Sequence, residues 1–319
     1  MLYSLIKLPA SCALWIYCKC LRVNKKDIFN SHGPLILACN HPNSFLDAVI
    51  LATLFKRPVY SLARGDAFNK NWVAFLLRSI NIYPVYRQSE GAEHLHRNYD
   101  TFDICQHLFR KNGIVLVFTE ALCEHEWHLR PLKKGTARLA INAWQENIPL
   151  KVLPVGINYN SFDSFGKIIH LGFGEMITQQ DLHTPTTDHA RMLNELTNRI
   201  KIQLAQLVYE IKPDDKTALQ KIFSCPVPLW KRVALFLPAV CGWLLHAPLY
   251  LPIKLKVSKA ASQDVHYDSI MVGALFITYP FYLALISLLT YFISGGWWWV
   301  LVFPLMPFLA WSYVQVKKK

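Results

Sequence analysis

Leu35-Ile36-Leu37-Ala38-Cys39-Asn40-His41-Pro42-Asn43-Ser44-Phe45-Leu46-Asp47 is the stretch that decides the fold. Its first five residues are apolar and read as a strand. A polar turn follows, and Phe45–Phe55 reads as a helix capped by Asn43 or Ser44. Pro42 bars His41 from a helical conformation. The imidazole therefore belongs to a turn at a strand end, where α/β domains place active groups. Asp47 sits one turn into the helix, so the chain can fold its carboxylate back to the ring. An Asp that accepts one ring N–H leaves the other nitrogen as a general base. The same residues also fit an N-capping turn with a buried His.

The pattern repeats outward from this stretch. Pro58–Ala63, Ile82–Tyr86, Ile114–Phe118 and Val152–Tyr159 read as further strands, and Ile168–Phe173 as an edge strand. Helical patterns lie between them at Trp72–Ile80, Tyr99–Arg110 and Thr136–Glu146, and a long amphipathic helix over 188–211 closes the series. Such alternation predicts an α/β domain over 31–215, with a mostly parallel central sheet flanked by helices.

Composition places this domain at a membrane. Of 319 residues 53% are hydrophobic and only 17% charged, and 34 Lys+Arg against 21 Asp+Glu leave +13. That excludes disorder and points to anionic partners. The apolar run Leu8–Cys18 is too short to span a bilayer, which needs about 20 residues. With Lys19, Arg22, Lys25 and Lys26 behind it, it predicts an interfacial anchor helix within residues 1–30. A basic linker, 216–232, leads to a helical membrane domain over 233–319. Residues 269–293 and 297–316, joined by Ser294-Gly295-Gly296, read as a transmembrane hairpin within 269–316. Lysines at 254, 256, 259 and 317–319 place both flanks on the cytosolic side, so 233–252, with its three prolines, is expected to be re-entrant. The eight cysteines are scattered and read as reduced thiols.

Three further blocks bear chemistry. Tyr83-Pro84-Val85-Tyr86-Arg87 puts an arginine at a strand end, and Phe118-Thr119-Glu120 a carboxylate. Leu129–Arg138 clusters Arg130, Lys133, Lys134 and Arg138 around a helix start, where anions are favoured. A candidate base beside such cations suits a phosphorylated hydroxyl compound.

Together these blocks resemble the four motifs of the glycerophospholipid acyltransferase superfamily, the lysophosphatidate and glycerol-3-phosphate acyltransferases. NHPNSFLD is similar to the NHxxxxD motif and supplies His41 and Asp47. YPVYR supplies Arg87, FTEA supplies Glu120, and Val152-Leu153-Pro154-Val155 resembles the fourth motif. Five residues rather than four separate His41 from Asp47, as in a branch similar to the fungal glycerol-3-phosphate acyltransferases with NHxNxFxD and a P-L-K-x-G block; Asn43 and Pro131–Gly135 match these. Ala121 stands where the family has Gly.

The resemblance implies transfer of a fatty acyl group from acyl-CoA or acyl carrier protein to a lysophospholipid hydroxyl, most simply that of 1-acylglycerol 3-phosphate. Glycerol 3-phosphate and a lyso-aminolipid are alternative acceptors. His41 and Asp47 are the implied catalytic pair; Asn43, Arg87, Glu120, Lys133, Lys134 and Arg138 are the implied substrate-binding residues. No cofactor or metal is expected: the ligand-rich run Cys123–His128 matches no common zinc spacing. The expected partners are membrane lipid, an anionic membrane surface and the two substrates. Nucleic acid is not expected, because no reader motif is present. The expected location is the inner (cytoplasmic) membrane or an equivalent endomembrane, with the active site facing the cytosol. A membrane scaffold without activity is the rival reading. It accounts for the hairpin and the charge but not for His41, Asp47, Arg87 and Glu120 at strand ends.

Overall fold

A computed structural model describes residues 2–86, 92–185, 188–261 and 264–317. Seven strands form one sheet: β1 (Cys18–Val23), β2 (Leu35–Cys39), β3 (Val59–Arg64), β4 (Ile82–Val85), β5 (Ile114–Phe118), β6 (Lys151–Tyr159) and β7 (Lys167–Phe173). Their order is β1-β7-β6-β2-β5-β3-β4. Every neighbouring pair is parallel except β6 with β7.

The central strand β2 is buried at all five positions. Leu35, Leu37 and Cys39 face one core, which α1 (Leu2–Tyr17) and α2 (Phe45–Leu54) cover. Ile36 and Ala38 face the other, covered by α4 (Ala92–Arg110), α5 (Gly135–Gln145) and α6 (His189–Leu207). A strand covered on both faces has no polar side to show water, hence its unbroken apolar run. Between β3 and β4 lies α3 (Asn71–Ser79). The expected strands and helices of 31–215 are present, most bounds shifting by a residue or two; α4 starts seven residues early and α6 ends four early.

Two expectations need correction. The N-terminal anchor helix stops at Tyr17, and residues 18–23 enter the sheet as β1. Its alternation, Cys-Lys-Cys-Leu-Arg-Val, suits a half-covered edge strand. Because β1 pairs with β7, residues 167–173 are the second strand in from that edge and not the edge itself. Part of the basic linker is also helical, as α7 (Lys216–Ile222), and Phe223 packs with Ile168 of β7.

Three helices follow that are long and apolar enough to cross a membrane: α8 (Leu229–Ala261), α9 (Tyr267–Ser294) and the stretch Trp297–Val316, whose last 15 residues are α10 (Val302–Val316). Gly242 of α8 lets α10 approach so closely that a Cβ there would lie 2.2 Å from the Leu309 carbonyl oxygen. Ile293 and Trp297, at the far turn, are 86% and 83% exposed. Residues 233–252, expected to be re-entrant, lie within one 33-residue helix. Pro238, Pro248 and Pro252 each remove a backbone donor, but no polar or glycine-rich break ends the helix between them.

The ends of these helices are tied to the sheet. Just before α8, the Ser224 carbonyl accepts from Arg22 of β1 at 2.6 Å. At the start of α9, Asp268 pairs with Lys167 of β7 at 2.7 Å. After α10, the Lys317 carbonyl accepts from Lys19 of β1 at 2.9 Å. Helix α8 thus starts and ends beside the α/β domain, and α9 and α10 run out from it and back.

Candidate active site

The site is built where β2 ends and α2 begins. His41 Nδ1 lies 2.9 Å from Asp47 Oδ2. The Asp47 carboxylate is fully buried. It also accepts the Asn43 backbone N–H on Oδ2 at 2.8 Å and the Tyr159 hydroxyl on Oδ1 at 2.7 Å. Burial and then the Asp47 charge push the Tyr159 phenol well up, so it stays a donor. The imidazole stacks on Phe118, with ring centroids 3.7 Å apart. With Nδ1 engaged by Asp47, the Nε2 face remains for a substrate proton, and the side chain is 17% exposed.

The turn carrying these groups is strained. Ser44 has φ 52° and ψ −139°, a region costing a non-glycine residue roughly 1–3 kcal/mol and persisting only where surroundings impose it. Its backbone N–H donates to Cys123 Sγ at 3.0 Å, and its hydroxyl meets His266 Nδ1.

Glu120 is 5% exposed and spends both oxygens on backbone. Oε2 accepts from His41 N at 2.8 Å and Oε1 from Arg130 N at 2.9 Å. Burial raises its carboxyl, against the pull of those two bonds. It holds the turn at His41 against the loop that leads to α5. The residue after it, Ala121, has φ 54°. That left-handed conformation favours glycine, and here a residue with a methyl side chain adopts it.

The other expected binding residues fall into three groups. Lys133, Lys134 and Arg138 are exposed at the start of α5, with no ion-pair partner among the described residues. The Lys133 N–H donates to the Thr119 carbonyl at 2.8 Å, which ties this helix start to the strand end beside His41. Asn43 is fully buried, with its side-chain amide donating to Asp268 at 2.9 Å. Arg87 lies outside the described residues. Arg130 pairs with Glu126 at 2.9 Å in the loop over the site. No group of three or more His, Cys, Asp or Glu among the described residues is placed to hold a metal ion.

Tyr159, Tyr17, Lys167 and Asp268 join the site without having been singled out in the sequence. Lys167 and Asp268 are both buried, and burial lowers the lysine against the opposing pull of that carboxylate. A lysine directly after Phe165-Gly166 carries no motif; only the closure of the sheet brings it here. An apolar cleft of about 170 Å³ opens beside the turn, walled by Ile6 and Leu14 of α1, Phe45 and Val49 of α2, and Val272 and Phe276 of α9.

A His held by a buried Asp at a strand end is an arrangement that can take a proton from a hydroxyl. Residues 20–158 match the family model described as Acyltransferase. No curated protein matches the chain. Among solved structures the chain is similar to the crystal structure of the 1-acyl-sn-glycerophosphate (LPA) acyltransferase PlsC from Thermotoga maritima. The identity is 15%, 71% of this chain and 81% of that one are covered, and the TM-score is 0.46.

Proposed function

We propose that this protein transfers a fatty acyl group from acyl-CoA or acyl carrier protein to the hydroxyl of a lysophospholipid, with 1-acylglycerol 3-phosphate as the first candidate acceptor. The observation that carries the reading is the His41–Asp47 pair at 2.9 Å, with the imidazole Nε2 left for a substrate proton. His41 Nε2 takes the proton of the acceptor hydroxyl. Asp47 keeps the ring in the Nδ1–H tautomer and stabilises the imidazolium that forms. The hydroxyl oxygen attacks the thioester carbonyl, the C–S bond breaks, and the thiolate receives the proton from His41. No acyl-enzyme forms. Lys133, Lys134 and Arg138 supply the positive charge for the acceptor phosphate, with the α5 N-terminus adding to it. The cleft between α1, α2 and α9 suits an acyl chain.

Purified protein in lipid vesicles, given labelled acyl-CoA or acyl carrier protein and a panel of lysophospholipids, tests this by mass spectrometry. The expected product is the diacyl phospholipid, and His41→Ala lowers its rate about 100- to 10,000-fold. Wild-type rates in a folded His41→Ala protein would remove the mechanism. Preference for glycerol 3-phosphate or an aminolipid over the lysophosphatidate would move the acceptor assignment.

A further inference from the structure

The membrane hairpin reaches into the catalytic turn. Three residues at the start of α9 each bind one residue of the turn 43–46. His266 Nδ1 meets the Ser44 hydroxyl, Asp268 Oδ2 accepts from Asn43 Nδ2 at 2.9 Å, and Ser269 Oγ accepts from Leu46 N at 3.3 Å. Asp268 is the centre of this contact. The same carboxylate oxygen takes Lys167 Nζ at 2.7 Å and the Tyr17 hydroxyl. All four participants, Asp268, Lys167, Asn43 and Tyr17, are at most 2% exposed.

We infer that Asp268 is a positioning residue for acyl transfer: the first turn of α9 completes the active site by holding Asn43, and through it the Asp47–His41 pair. The path is short. Asn43 donates its backbone N–H to Asp47 Oδ2, the oxygen that also faces His41 Nδ1. Asn43 Oδ1 has no partner among the described residues, so Asp268 is what fixes the side-chain amide. An anchor alone does not call for a buried ion pair beside the catalytic turn, because desolvating two charges offsets most of what their attraction returns. Here the pair fixes the register of α9 against β2, β7 and α1 together. Ser44, whose backbone is strained at φ 52°, is held by the same segment through its hydroxyl on His266.

This inference rests on the proposed acyl transfer, and Asn43→Ala is the decisive variant. It removes the side-chain amide that Asp268 holds, so the backbone N–H to Asp47 loses its brace, yet it leaves Lys167, Tyr17 and Asp268 paired. In full-length protein in lipid vesicles it is expected to lower kcat roughly 10- to 100-fold, the scale of a small misplacement of a reacting group, with both KM values nearly unchanged. Asp268→Asn should do the same, and the double variant should fall no further than the worse single one, since both act along one path. Unchanged kcat in folded Asn43→Ala, or losses that multiply in the double variant, would overturn the inference. Should Asp268→Asn fail to fold with Lys167 left unpaired, Asn43→Ala and His266→Ala decide alone. Hydrogen exchange over residues 43–47 reads the link without turnover: it should quicken in these variants while β5 stays protected, and unchanged exchange counts against the idea. A wild-type protein with no acyl transfer but with quickened exchange in the variants would refute the proposed function and leave the link standing.

Discussion

Tyr159 and Asp47 are 112 positions apart in the chain and 2.7 Å apart in the fold. The tyrosine closes β6 just where β2 delivers its turn, and its hydroxyl covers the Asp47 oxygen that His41 does not face. The carboxylate therefore sits among three donors, and its orientation toward the imidazole depends on all of them. Tyr159→Phe should lower kcat about tenfold, the worth of one hydrogen bond to a buried charge at roughly 1.5 kcal/mol. Substrate KM values should hardly move, since the phenol touches neither substrate. Steady-state kinetics on vesicles checks this. A full kcat would mean that His41 and the Asn43 N–H suffice to hold Asp47.

The strand-turn-helix around His41 was legible because a proline and an unbroken apolar run each carry local meaning, although neither Asn43 nor Ser44 caps the helix with its side chain, both being spent on the start of α9. The partnership of His41 with Asp47 followed from spacing, and it stands at 2.9 Å. Glu120 was legible as a strand-end carboxylate but not in its task, because the backbone N–H groups that occupy it belong to residues 79 positions before and 10 after. Tyr159, Lys167 and Asp268 were invisible for the same reason: their meaning lies in contacts across sheet and membrane helices, and no local pattern encodes those. Strand β1 was masked by the apolar run that precedes it, which the N-terminal helix continues to Tyr17.

The exposed cations at the α5 start give a graded prediction. Lys133→Ala, Lys134→Ala and Arg138→Ala should each raise the acceptor KM roughly two- to fivefold, the range for solvent-exposed charge pairs, and leave kcat near wild type. The triple variant should raise it further, and salt should weaken acceptor binding less in the triple variant than in the wild type. An unchanged acceptor KM in the triple variant would place the phosphate elsewhere.

His170 of β7 sets a pH dependence of stability. Burial first, and then the nearby Arg22 guanidinium, bring its imidazole down from 6.5 to about 4. Its Nδ1 lies 3.0 Å from the Tyr209 hydroxyl, and Nε2 is buried without a partner among the described residues. Unfolding returns the ring to its ordinary value. Between about 6.5 and 4 the unfolded chain then binds the extra proton, so this group makes stability fall as pH drops through that window. Denaturant midpoints from pH 7.5 to 4 should show a shallower decline in His170→Gln than in the wild type. Parallel curves would remove His170 as the cause.

The ties between helix ends and sheet lead to a prediction of topology. Ser224 before α8, Asp268 at the start of α9 and Lys317 after α10 are all bonded to β1 or β7. Helix α8 thus starts and ends beside the sheet, and the expectation is that α9 and the return through Trp297–Val316 cross a bilayer and come back. Lysines 231, 254, 256, 259 and 317 lie on the flanks of these segments, whereas Ser294-Gly295-Gly296 carries no charge. Each Lys or Arg near an anionic leaflet contributes about 1 kcal/mol, which favours the cytosolic side for the α/β domain and the opposite side for the turn. Trp297 and Trp298, both exposed at that turn, then lie where indole rings favour the interface. In a background without reactive native thiols, Ser294→Cys should react with an impermeant thiol reagent on intact cells, and a Cys added after Lys319 only after permeabilisation. Labelling of the terminal Cys from outside, with Ser294→Cys protected, would invert the hairpin. Labelling of both from outside would place the hairpin on one face of the membrane.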